Sequence, residues 1–117
     1  MNPCELEPYR LDLALIRETA DRITKDFDLF GFVINFSGIE NAAYQELIDQ
    51  LIPVFTTLLK NDRQKLMRML YVIDISEEKL AATIKKYPKE NMPAIISHLV
   101  IERELQKAIT RRVFSPR

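Results

Sequence analysis

A single corner constrains this chain more than any other feature. Leu66, Met69, Leu70 and Ile73 recur at spacings of three and four, which sets them along one side of a helix. Asp74-Ile75 breaks that period, and Ser76 then offers its hydroxyl to the free N–H groups of a second helix. Glu77 and Glu78 fall in the first turn of that helix, where its dipole favours negative charge. So short a link leaves the chain no room to wander, and the helices on either side must be arranged around it.

The same helical period runs through the rest of the sequence. From about Tyr9, the residues Leu13, Ile16, Ala20, Ile23, Phe27 and Phe30 alternate at three and four, with Arg17, Glu18, Asp21, Arg22 and Lys25 on the other side. Ser37 and Glu40 have the spacing of a capping box for a second helix, which runs to about Lys60. Tyr44, Leu47, Ile48, Leu51, Phe55, Leu58 and Leu59 share its broad apolar face. Pro53 sits inside it and removes one backbone hydrogen bond, so a bend is expected, or a split into two shorter helices. Asn61-Asp62 caps the helix that enters the corner, and Lys85-Lys86-Tyr87-Pro88 closes the one that leaves it. A last helix starts near Pro93 and continues to about Val113, buried all round over Ile95-Ile96 and Leu99-Val100-Ile101. Beyond that it keeps only the stripe Ile101, Leu105, Ala108 and Ile109.

Only two glycines and no tryptophan, among many Leu, Ile, Lys, Glu and Arg, favour helix over strand. With 117 residues, 47% of them apolar, one ordered domain is expected. The fold class is therefore all-α: a compact bundle of about five helices, with residues 1–8 and 114–117 as flexible ends. No apolar run approaches the roughly 20 residues of a membrane span. The N-terminus carries Glu5 and Glu7 where a secretory signal carries base, which points to the cytoplasm.

Between helices one and two lies an apolar, phenylalanine-rich connection, Phe30-Gly31-Phe32-Val33-Ile34-Asn35-Phe36-Ser37-Gly38, which holds both glycines. It can pack down as a plug over the end of the bundle, form a short edge strand, or stay exposed as a partner surface. The plug is the leading expectation, and Phe30, Phe32, Ile34 and Phe36 are the candidate partner surface if the segment is open.

Chemistry-bearing constellations are scarce. His98 is the only histidine, with Glu102 one turn on, so the two form a candidate polar pair on the last helix. A general base or ligand carrier built on them is one reading; a partly buried imidazole bonded to Glu102 is the plainer one. One cysteine, Cys4, makes no internal disulfide and no paired metal site. No glycine-rich phosphate loop, nucleophile elbow or calcium loop occurs. Catalytic, cofactor and metal residues are therefore not assigned, and no cofactor is expected.

The corner also has the outline of a DNA-binding helix-turn-helix. Its second helix would present Glu77 and Glu78 to phosphate, against the electrostatic attraction that supplies most non-specific affinity. Nucleic acid is accordingly the weaker alternative. Net charge is zero, yet residues 1–62 hold 5 basic and 11 acidic side chains and residues 63–117 hold 12 and 6. Arg103, Lys107 and Arg111, four apart, make a candidate basic docking ridge on the last helix.

Two runs carry a resemblance: Leu70-Tyr71-Val72-Ile73-Asp74-Ile75-Ser76-Glu77-Glu78-Lys79, and Ile101-Glu102-Arg103-Glu104-Leu105-Gln106-Lys107 with Thr110-Arg111. They resemble a group of small uncharacterised bacterial cytosolic proteins of similar length, over about the last half of the chain. The resemblance implies an all-helical bacterial protein and carries no activity. The expected function is a protein–protein interaction or assembly module, with a second copy or another protein as partner.

Overall fold

Five helices follow the apolar periods among the described residues, with no strand between them: α1 Leu13–Asp28, α2 Ala43–Asn61, α3 Arg63–Ile73, α4 Glu77–Lys86 and α5 Met92–Phe114. They are seen in a computed structural model that describes residues 12–38 and 42–114, apart from the side chains of Val113 and Phe114. Cys4, Tyr9, Glu40 and the tail from Ser115 lie outside the described residues. The all-α bundle is thus the architecture.

Local chemistry sets most helix ends. Asp12, Asp62, Ser76 and Asn91 each accept from the backbone N–H three residues on, at 2.9–3.1 Å. Helix α1 starts at Leu13, where Asp12 supplies the cap. It stops at Asp28, so Phe30 belongs to the connection and not to the helix. Helix α2 passes through Pro53 without splitting; the proline faces solvent, where its missing donor leaves no buried gap. It begins at Ala43, with Ala42 as an N-cap that has no side-chain bond, so Ser37 does not cap it.

Helix α5 is the axis of the bundle. It packs chiefly on α2 and α1, also holds α4, and touches α3. The core between them is closed by Phe27, Ile23, Leu47, Leu51, Phe55, Met69, Ile96 and Ile101, none more than marginally exposed. Phe27 meets Phe55 edge to face, with ring centroids 5.7 Å apart. Such a pair is worth about 1 kcal/mol beyond the area it buries. A smaller cluster, Leu15 with Leu105, Ala108 and Ile109, joins α1 to the far half of α5.

The corner after α3 is a Schellman turn. Ile75 N donates to Leu70 O at 2.8 Å, Asp74 N donates to Tyr71 O at 3.1 Å, and Asp74 takes a left-handed conformation at φ 73°. Buried Ile75 and Leu70 supply its apolar contact. A left-handed aspartate where glycine is usual costs backbone energy, which the ion pair of its carboxylate with Arg103, at 2.8 Å, offsets. Replacing Asp74 by Ala should lower stability by about 1 kcal/mol more than replacing it by Gly, because both lose the ion pair and only Ala keeps the strain. Urea unfolding of the two variants checks this; equal midpoints would mean the left-handed turn contributes nothing.

Candidate interaction surface

The phenylalanine connection packs down by alternation. Ile34 is buried, and Phe30, Phe32 and Phe36 are half-buried against the core, whereas Leu29 and Val33 stand 73% and 75% exposed. Phe32 is the anchor: its N–H donates to Phe27 O at 3.0 Å, its ring meets Phe27 edge to face, and the Lys65 ammonium of α3 lies 4.7 Å from its centroid. The connection is thus a plug that offers different side chains from those in the expected set Phe30, Phe32, Ile34 and Phe36.

Two residues of α2 strap the plug in place. The Glu46 carboxylate accepts from Ser37 N at 2.7 Å, Ser37 Oγ at 2.9 Å and Gly38 N at 3.2 Å. One turn on, Gln50 donates to Asn35 O at 2.7 Å. Ser37, read in sequence as the cap partner of Glu40, therefore answers to Glu46. The backbone N–H of Ser37 is the main cause that holds the Glu46 carboxyl below its ordinary range, with the serine hydroxyl and Gly38 N–H adding to it against desolvation. An open groove of about 580 Å³ runs beside this strap, lined by Ser37, Gln45, Glu46, Asp49, Gln50 and Pro53 among others. The Glu46 carboxylate on its wall already accepts from three donors.

A second exposed apolar spot lies on α3, where Tyr71 is 85% exposed and Val72 44%. Arg63 and Arg68 are exposed on the same helix, which contains no acidic residue. By contrast, exposed Asp28 immediately precedes Leu29.

The expected basic ridge is divided. Arg103 donates to Asp74 O at 3.2 Å, to Asp74 Oδ2 at 2.8 Å and to Gln106 Oε1 at 3.1 Å. Lys107 donates to the Ile73 carbonyl and pairs with Glu104 at 3.0 Å. Both cations cap the carbonyl end of α3, while Arg111 alone of the three is exposed. Arg103 is also the first cause that holds the Asp74 carboxyl low.

His98 is exposed rather than partly buried, and its Nδ1 lies 3.2 Å from Tyr44 Oη across the α2–α5 seam. The two rings are tilted at 5.9 Å between centroids, and Glu102, one turn on, is half-buried. Leu105 and Ile109, on the same side of α5, are covered by Leu15 of α1; at His98 the neighbour is the Tyr44 ring. In the helix-turn-helix comparison, Glu77 and Glu78 stand exposed at the start of α4, and α4 rests on α5 rather than back on α3. Among the described residues, no group of three or more His, Cys, Asp or Glu side chains is arranged to hold a metal. No helix is long and apolar enough to cross a membrane.

One residue carries more than its sequence position suggested. Glu104, next to the first cation of the expected ridge, is fully buried. The signal was present in its spacing: Val100, Ile101 and Ala108 lie four and three residues before it and four after, on the stripe that faces the core. No family model, curated protein or solved structure matches the chain.

The strap yields a direct prediction. In Glu46→Ala the slow hydrogen exchange of the Ser37 and Gly38 amides should be lost, with little change in the melting midpoint. In the unaltered chain the same protection is present above the ordinary carboxyl value of 4.5 and weakens as pH falls below it. Exchange followed by NMR measures both; unchanged protection in the variant would show that Glu46 does not hold the plug.

Proposed function

We propose that this chain is a protein–protein interaction module that pairs with a second copy of itself. The observation that carries this reading is the placing of four of the five exposed large apolar side chains among the described residues: Leu29 and Val33 follow Asp28, Tyr71 and Val72 follow Arg68 by one helical turn, and Tyr87 stands apart. Isolated exposed apolar residues need no explanation, but two spots flanked by opposite charge are complementary to each other. In a twofold dimer, the plug of one copy on α3 of its partner makes that contact twice. The acidic first half and basic second half of the sequence favour the same arrangement. We place the module in the bacterial cytoplasm, the setting that the resemblance of its second half implies.

Light scattering across a wide concentration range tests the reading. The mass should rise from the monomer's 13.7 kDa to twice that value. Val33→Lys and Tyr71→Asp, both at exposed positions, should each weaken the pairing roughly tenfold, about 1.4 kcal/mol, without changing the circular dichroism of the monomer. A strict monomer at the highest concentration contradicts self-association.

A further inference from the structure

Glu104 sits in α5 with no solvent exposure, where Lys107 of the same helix and Asp26 of α1 meet its side chain. Its Oε1 takes the Lys107 ammonium at 3.0 Å, and that ammonium also donates to the Ile73 carbonyl at the end of α3. Its Oε2 is buried with no donor in reach. Another acid, Asp26 of α1, neighbours the same carboxyl group. Two carboxyl groups bind each other only when one carries a proton, so the orphaned Oε2 is where that proton belongs.

The other charges around the pair do not replace the proton. Arg103 is turned away to Asp74, and both lie at the α3 corner. Arg22, one turn before Asp26 on α1, has a buried Nε with no acceptor, so that nitrogen makes no bond to either carboxyl. The inward side of α2 is Leu47, Ile48, Leu51, Phe55 and Leu58, without a titratable group. The charged groups of α4, Glu77, Glu78, Lys79, Lys85 and Lys86, are exposed.

Asp26 also occupies a particular place in the chain. It precedes Phe27, which is fully buried, packs on Phe32 and Phe55, and accepts the Phe32 N–H through its carbonyl. Whatever holds Asp26 therefore holds the root of the phenylalanine plug. We propose that Glu104 and Asp26 form a proton-dependent latch, which fastens the last turn of α1 and the plug behind it to α5. With the proton between the carboxyls the latch is closed. Release of the proton to solvent leaves a buried and a half-buried negative charge against one lysine, and the last turn of α1 loosens.

The direction of the titration agrees. Burial, and then the hydrogen bond with Asp26, push Glu104 up to about 7, against the pull of Lys107. A folded value above the ordinary 4.5 means that the folded state binds the proton more tightly than the unfolded one. The stabilisation is thus complete below about 4.5 and is lost as pH rises through about 7. Asp74 and Glu46, both held low, act in the opposite sense and only in acid.

Urea unfolding and amide exchange of the full chain across this pH range test the latch. The wild-type urea midpoint should fall as pH rises to about 7 and then level off. In Glu104→Gln the amide keeps an acceptor for Lys107 and a donor for Asp26, so its midpoint should stay level and exceed that of the wild type on the alkaline side. Protection of the Phe32 amide should fall by up to about tenfold per pH unit below about 7 in the wild type, and stay constant in the variant. If Glu104→Gln does not fold, Asp26→Asn serves instead: it removes the neighbouring charge and should move the wild-type decline to lower pH. Parallel pH profiles for wild type and variant overturn the latch. So does a loss of protection shared equally by the amides of α2, which would be global unfolding rather than local release.

Discussion

The carbonyl end of α3 meets two cations from α5, and the rest of the fold depends on that meeting. A helix C-terminus leaves its last carbonyls without partners, and here the chain must also turn at once into α4. The Schellman turn satisfies two of these groups from within, and Arg103 and Lys107 supply donors to Asp74 and Ile73 from outside. These contacts join residues 29 and 34 positions apart, so they tie the corner to the central helix. With the corner held, α4 lies on α5, and the apolar side of α3 faces the core through Leu66, Met69, Leu70 and Ile73. Lys107 then reaches from the corner to Glu104, so one ammonium links a surface turn to a fully buried acid.

That link explains how the bundle tolerates a buried carboxyl. An isolated charge in such a place would cost several kcal/mol, and a lone ion pair often fails to recover its desolvation. Here Lys107 answers one oxygen, and in the proposed latch a proton shared with Asp26 answers the other. The α1–α5 seam is therefore held in two ways. Leu15, Leu105, Ala108 and Ile109 make it apolar at one end, and the carboxyl pair makes it polar next to the plug. The apolar end is insensitive to pH. The polar end is not, and it is also the end that positions the plug.

The local period made much of this legible in the sequence. Helix content, the Asp62 and Ser76 caps, and the buried stripe of α5 all follow from residues within four positions of one another. What the sequence hid was decided by partners far along the chain. Ser37 looked like a cap for α2 because Glu40 stands three residues on, yet Glu46 takes both its N–H and its hydroxyl. Arg103 and Lys107 look like part of a docking ridge because the helix end they cap lies 29 and 34 residues before them. His98 finds Tyr44, which lies 54 residues before it. Glu104 is a different case: its neighbours at three and four positions are apolar, and a stricter reading of that stripe would have placed it inside.

The proposed latch turns on a proton held where α1 crosses α5. Carbon-detected NMR of the Glu104 side-chain carboxyl, followed as pH is raised on the folded protein, observes that group directly. A titration centred at about 7 is the predicted result. A carboxyl that titrates near the ordinary 4.5 would mean that Glu104 is ionised and solvated in the folded chain, and would contradict the account.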